Sequence, residues 1–361
     1  RSGKVAKRAR RQEMIAVFKI GVAFAAALLV TTAARADETC KFRGDLDTIY
    51  CDENQNLIAD APKDASKLKN PKTILLSYSP QEDTATYEKM WSPYVQFMSQ
   101  CLGRPMRFLQ VHSSAATIEA MRSGRIQMSL LAAGDTPFAV NVAGAHPFAI
   151  HGNLINNKPT LMAYHLVMVV RADSPYKNLR DLVGKRVAHV SPSSNSGNLA
   201  PRALFPDEGL VPDKDYKVLY SGKHDNSIMS VINGDYDAAA IADDVLIRMI
   251  QRGAVKDGQL RVIYKSAPFP AGSLAMVHDL APELRDKIVS CTFQFKFPKE
   301  LETAFRGTDR FVPLNYKNDY ALVRKVADIS GDAFTRAAFD KRKANEAKST
   351  NAPATSPSSK K

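Results

Sequence analysis

Apolar and polar positions alternate with two periods along residues 72–335. Short apolar runs at 73–78, 106–110 and 126–131 read as buried strands. Between the first two, residues 86–102 place Tyr87, Met90, Trp91, Tyr94, Val95, Met98 and Cys101 at helical spacing, a stripe that reads as core. Residues 115–123 form a second helical segment, and Gly134-Asp135-Thr136-Pro137 turns into a third. Further on, strands are expected at 185–190, 217–220, 238–241 and 260–264, and helices at 179–182, 198–205, 226–233 and 244–252. Two late helices follow at 282–293 and 321–329. Alternating strands and helices predict an α/β protein with a parallel sheet.

An internal echo divides this body. Residues 118–132 have a counterpart at 228–242: a helix end, a glycine (Gly124, Gly234) and an apolar strand, at an offset of 110 residues. Two lobes of one architecture produce such a repeat, and the period is too long for a solenoid. Apolar runs at 161–170 and 273–277 are placed to carry the chain across and back. The predicted division is 72–163 with 273–339 as lobe 1 and 164–272 as lobe 2, and two connecting strands permit hinge closure.

The richest local chemistry is the stretch from Ser191 to Pro201. An apolar strand ends at Val190, and Ser191, Ser193, Ser194, Asn195, Ser196 and Gly197 follow before the next helix. Helix N-termini carry unpaired amides and a positive dipole end, so this turn suits an anion. A single serine here would most often cap the helix; several donors in one turn point to a ligand. In an open α/β sheet, ligands sit beyond the carboxyl ends of strands. Other polar residues at such ends are Ser77, Ser79, Ser113, Ser114, Gly134 to Thr136, His224, Asp225, Asp243 and Asp244, with Tyr164 on the crossover.

The net charge of +13 first suggests nucleic acid, but its distribution does not. Residues 1–36 carry +7 and residues 340–361 carry +4, leaving +2 for the body. A nucleic-acid surface is therefore not expected. Lys19, the apolar run 20–30 and Ala34-Arg35-Ala36 read as a secretory signal cleaved near Ala36, with residues 1–13 upstream of it. Residues 37–71 form a polar N-terminal extension in which a Cys40–Cys51 disulfide is expected. Cys101 and Cys291 fall on helices and are expected as buried small apolar residues. The basic segment 340–361 is expected to be disordered.

Enzyme motifs of the GxSxG, HExxH, Walker and GxGxxG types are absent. Ser194, His224 and Asp244 could be imagined as a hydrolytic triad, which requires a base oriented by a third group.

The stretches SPSSNSGNLAP (191–201), YSGKHDNSIMSVINGDYDAAAIADD (220–244) and YKSAPFPAGSLAM (264–276) together resemble the phosphonate/phosphite/phosphate ABC-transporter substrate-binding proteins, the PhnD family. EAMRSGRIQMSLL (119–131) and DRFVPLNYKNDYALVRKV (309–326) extend the resemblance over residues 72–328. It implies a type 2 periplasmic binding fold, two α/β lobes with mixed, mostly parallel sheets joined by two hinge strands, with a periplasmic location, no catalysis, no metal or cofactor, and a monomer that delivers an oxyanion to an inner-membrane permease. The family's Ser-Thr-Ser turn falls on Ser194, Asn195 and Ser196, its pocket histidine on His224 and a pocket tyrosine on Tyr164. A carboxylate used by aminoalkylphosphonate binders falls on the shorter Asp244. A second falls near Gly272 and is missing, and an aromatic is replaced by Ser114. Ser79 completes the expected ligand set. The two altered carboxylates argue against 2-aminoethylphosphonate. Arsenite would want thiolates, and neither Cys101 nor Cys291 is at an expected cleft position. The alternatives are a periplasmic sensor signalling to a membrane histidine kinase and a hydrolase using Ser194 or Ser196.

Overall fold

The computed structural model describes residues 40–331 and 333–350. The expected signal sequence and residues 351–361 lie outside the described residues. Fourteen strands follow one another among the described residues. The first seven are β1 (Ile74–Tyr78), β2 (Met106–Phe108), β3 (Met128–Leu131), β4 (Ala145–Ile155), β5 (Lys158–Leu161), β6 (Ala163–Tyr164) and β7 (Leu166–Arg171). The others are β8 (Val187–His189), β9 (Val218–Tyr220), β10 (Ala238–Ala242), β11 (Leu260–Lys265), β12 (Phe269–Pro270), β13 (Ser273–Val277) and β14 (Arg310–Pro313).

They build two sheets and a ribbon. One sheet runs β14-β4-β13-β3-β1-β2, with β5 added to β4; the other runs β11-β7-β10-β8-β9. The two-stranded ribbon β12-β6 lies where the chain passes from one sheet to the other and back. The return crossing is therefore at Phe269–Pro270, and the apolar run 273–277 is a central strand of the first sheet. The sheets are mixed and not mostly parallel, whereas the alternation of strands and helices predicts parallel pairing. Of the strand pairings, β1 with β2 and β3, and β8 with β9 and β10, are parallel; the others are antiparallel. The reason is the double crossover: β7 and β13 each enter a sheet from the other lobe and run against their neighbours.

Local sequence explains the elements that position the site. The Thr84–Leu102 helix opens on Asp83, whose carboxylate accepts from the Ala85 N–H at 2.8 Å. It closes on Gly103 at φ 67°, the left-handed conformation that glycine adopts freely. Its stripe of Tyr87, Trp91, Tyr94 and Met98 is fully buried, as the periodicity predicts. Strands β3, β10 and β13 are buried at every position, which accounts for their unbroken apolar runs. None of the described helices is long and apolar enough to cross a membrane.

Two expectations fail. Cys101 and Cys291 are not isolated apolar residues but a disulfide, with Cα atoms 6.0 Å apart and a sequence separation of 190. The Thr84–Leu102 and Pro282–Gln294 helices lie side by side, a proximity that spacing along the chain cannot reveal. Cys40 and Cys51 are also disulfide-bonded. The basic tail is not free of structure throughout, because a helix spans Arg336–Thr350. Its Ala, Lys and Arg residues favour helix, and Phe334 and Phe339 pack against the Phe138 ring at 4.7 and 6.1 Å.

Closing a loop of this length stabilises the fold by about 2–4 kcal/mol. Replacing Cys101 and Cys291 together with serine is expected to lower the melting temperature by roughly 4–8 °C. An unchanged melting curve would mean that the bridge contributes nothing.

Candidate ligand-binding site

The carboxyl ends of β1, β3, β8 and β10 converge on one cavity of about 40 Å³. From the second sheet come Ser194, Asn195, Ser196, His224, Ala242 and Asp244; from the first come Tyr78, Gln81, Leu130, Leu131, Gly134 and His151. Tyr164 of the ribbon and Phe305 complete much of the wall.

The serine turn is both a cap and a wall. The helix starts at Asn195, three residues before the sequence suggests, as a π-helical turn over Asn195–Leu199 that continues as α-helix to Leu204. Ser194 Oγ accepts from the Gly197 N–H at 3.0 Å, so the capping reading is correct. Its hydroxyl proton remains available to a second partner. Asn195 Nδ2 donates to the Tyr164 hydroxyl at 2.8 Å, while Asn195 Oδ1 has no hydrogen-bond partner in the protein. Burial pushes the Tyr164 phenol up, which keeps it protonated and a donor.

Gly134 is required by a close approach. A Cβ there would lie 2.1 Å from Ser193 O and 2.7 Å from Asn195 N, so the two sheets meet backbone to backbone at the turn. Gly197 is similarly confined, by Val190 and the Ser194 hydroxyl.

His224 presents a donor. Its Nδ1 accepts from the Ala242 N–H at 3.1 Å, so the proton of the neutral ring resides on Nε2, which lies 3.4 Å from Ser194 Oγ. Burial lowers its pKa to about 4, more than the Asp244 and Glu82 charges raise it. The ring is therefore neutral near pH 7. This geometry overturns the hydrolase reading. No carboxylate meets Nδ1, and Asp244 is engaged elsewhere.

Asp244 belongs to a buried ion cluster. Its carboxylate is 2.7 Å from Arg248 Nη1, and Arg248 Nε donates to Glu82 Oε1 at 2.9 Å. Arg252 also contacts Glu82. The Glu82 side chain is 0% exposed and that of Arg248 3%. Burial is the largest influence and raises the Asp244 carboxyl; the surrounding charges, Arg248 foremost, together outweigh it and hold the group below its usual value.

Tyr164, Ser194, Asn195, Ser196, His224 and Asp244 thus meet at the cavity, while two expected residues do not. Ser114 Oγ donates to Asp135 Oδ2 at 2.7 Å, and buried Ser79 is off the wall. Ser77 bonds Ser129 inside the sheet, Ser113 caps the Ser114–Arg122 helix, and Asp243 holds His165. The rule that ligands sit at strand ends selects the correct loops, but not which residue of each loop faces inward. Tyr78, Gln81, His151 and Phe305 were not anticipated. Only Tyr78, the last residue of a predicted strand, carried a signal. Gly272 does line the cavity, but a Cβ there would lie 2.2 Å from Leu131 O, so no carboxylate side chain fits.

The profile described as "ABC transporter, phosphonate, periplasmic substrate-binding protein" matches residues 76–320. The chain is 30% identical over 296 residues to the phosphate-import protein PhnD of Mycolicibacterium smegmatis, covering 76% of this chain and 90% of that protein. Among solved structures, a binding protein component of an ABC phosphonate transporter from Pseudomonas aeruginosa matches with a TM-score of 0.61 at 20% identity. It covers 77% of this chain and all of the other. PhnD1 from Prochlorococcus marinus, in complex with methylphosphonate, matches with a TM-score of 0.62 at 18% identity, covering 72% and 98%. The fold is thus that of the two-lobed type 2 periplasmic binding proteins, and the chain belongs to the phosphonate substrate-binding family of ABC transporters, a family of binding proteins and not of enzymes.

Proposed function

We propose that this protein captures a compact phosphorus oxyanion without an amino group in the periplasm, closes its two lobes on it and hands it to the permease. Phosphate and small phosphonates are the ligand class. The observation that carries this reading is the chemistry of the wall. Ser194, Ser196, Asn195, Tyr164 and His224 offer neutral donors, and the carboxylate present, Asp244, is held by Arg248. Hydrogen bonds to an anion are stronger than neutral ones and need no full countercharge.

Size supports the same class. One water needs roughly 10–15 Å³ of such space, so a cavity of about 40 Å³ suits a single tetrahedral group better than a long chain. An ammonium group would find Asp244 already paired and no second carboxylate. The M. smegmatis relative is named for phosphate import, and the P. marinus neighbour holds methylphosphonate, in keeping with this class. Closure is supported by bonds between the two sides: the His224 N–H to Gln81 O at 3.1 Å, the Asp83 N–H to Asp225 Oδ2 at 3.1 Å, and the Glu82–Arg248 pair.

Titration calorimetry of Ser196→Ala and Tyr164→Phe should show phosphate or methylphosphonate binding weakened about 10- to 100-fold, as expected for losing one hydrogen bond to a charged group. The unliganded melting temperature of Ser196→Ala should stay close to wild type, whereas Tyr164→Phe, which leaves the Asn195 amide donor unpaired, should also melt lower. Affinities within twofold of wild type would remove these residues from the site.

A thermal-shift comparison should stabilise the protein more with phosphate or methylphosphonate than with 2-aminoethylphosphonate at equal concentration. The opposite order would show that Asp244 is free to accept an ammonium group.

Acid should destabilise the fold. Burial lowers His224, His146 and His189 to about 4 and His151 to about 3, below the ordinary 6.5. The unfolded chain therefore binds more protons than the folded one between those values. The stability these neutral rings contribute is complete above about pH 6.5 and lost as pH falls through 4. Melting temperatures should drop over that window, and a rise on acidification would contradict the assignment of neutral rings.

A further inference from the structure

The cavity has two unlike sides. The second sheet supplies the neutral donors of the serine turn and His224. The other side is mostly apolar surface, from Tyr78, Leu130, Leu131 and Phe305, with Gln81, Ser273 and the imidazole of His151 as its polar side chains.

His151 is held rigidly. It sits on β4, in register with Phe311 of β14, and its carbonyl accepts from the Met162 N–H at 2.8 Å. Its ring stacks on Trp91 at 5.4 Å with 18° between planes, and lies 4.2 Å from the Phe305 ring. The residue is 3% exposed, yet Nε2 has no hydrogen-bond partner in the protein. Buried polar atoms are nearly always paired, and His151 lines the cavity, so its unsatisfied imidazole is read as waiting for a partner on that side. Burial also keeps the ring neutral. A neutral imidazole carries one donor and one acceptor and can meet a hydroxyl either way.

We propose that His151 is a specificity residue, hydrogen-bonding the one substituent of the bound tetrahedral anion that the donors of the second sheet leave uncovered. This rests on the reading that a phosphorus oxyanion occupies the cavity, and it specifies which one. A P–OH or P–O group satisfies the ring, whereas a P–CH₃ group leaves it unpaired. Sites built to hydrogen-bond a hydroxyl reject analogues that lack it, because their own polar group then stays unsatisfied. The protein is thereby biased toward inorganic phosphate over methylphosphonate.

The test is calorimetric titration of wild type, His151→Phe and His151→Gln with inorganic phosphate and with methylphosphonate at one pH. Wild type is expected to prefer phosphate. His151→Phe should weaken phosphate on the order of tenfold, the loss of one such bond, while methylphosphonate changes by less than about threefold on the same scale. His151→Gln, which keeps a donor and an acceptor, should recover most of the preference and carries the test if the Phe variant does not fold. Equal weakening of both anions in the folded variants would assign His151 to packing alone and overturn the proposal. So would affinities unchanged for both. A wild type that binds neither anion would overturn the functional reading itself, and this assignment with it.

Discussion

A guanidinium buried between two carboxylates sets the terms for this molecule. Arg248 lies on the helix after β10, beside Asp244 of the same helix, and reaches Glu82 in the loop after β1. Removing one partner of a buried ion pair leaves an uncompensated charge, a penalty of about 3–5 kcal/mol. The cluster therefore holds the carboxyl ends of two different sheets at a fixed separation. The same interaction decides the cavity's charge, because the carboxylate that lines it is committed to Arg248. The link between the sheets and the proposed selectivity thus rest on one set of bonds.

Around that cluster the two sheets repeat each other. In the first, β3 pairs in parallel with β1 and antiparallel with β13; in the second, β10 pairs in parallel with β8 and antiparallel with β7. Each central strand follows a helix that ends near a left-handed glycine, Gly124 at φ 74° and Gly234 at φ 82°. The 110-residue echo in the sequence is this shared plan. It was legible because both strands are buried on both faces and so read as unbroken apolar runs, while the glycines mark where each helix must stop. The π-helical start at Asn195, by contrast, left no local signal, since Ser, Asn and Gly are equally at home in a turn.

What the sequence could not yield has a common physical cause. Cys101 with Cys291, and Glu82 with Arg248, are partners separated by well over a hundred residues, and no periodicity encodes them. Ser79 and Ser114 show a second limit. Adjacent residues leaving a strand point in different directions, so a rule about strand ends identifies a loop and leaves its facing undetermined. Ser114 turns to Asp135, a carboxyl pushed up by burial and drawn back by that hydrogen bond. His151 was hidden for the opposite reason. It falls inside an apolar strand, where a histidine reads as one more packed ring.

The proposed selectivity against an amino group rests on two independent features, one electrostatic and one steric. Asp244 keeps its charge, but Arg248 sits 2.7 Å away and already satisfies it, so a second cation would compete with an existing buried pair. At Gly272 the obstacle is the backbone itself. A Cβ would press against the Leu131 carbonyl oxygen, and β3 and β13 are locked in register at that point through Ser273 and Leu131. A carboxylate at Gly272 would need those central strands to part. The absence of that charge is thus built into the pairing of the sheet, and reversing it is a matter of moving backbone, which exchanging a side chain does not do.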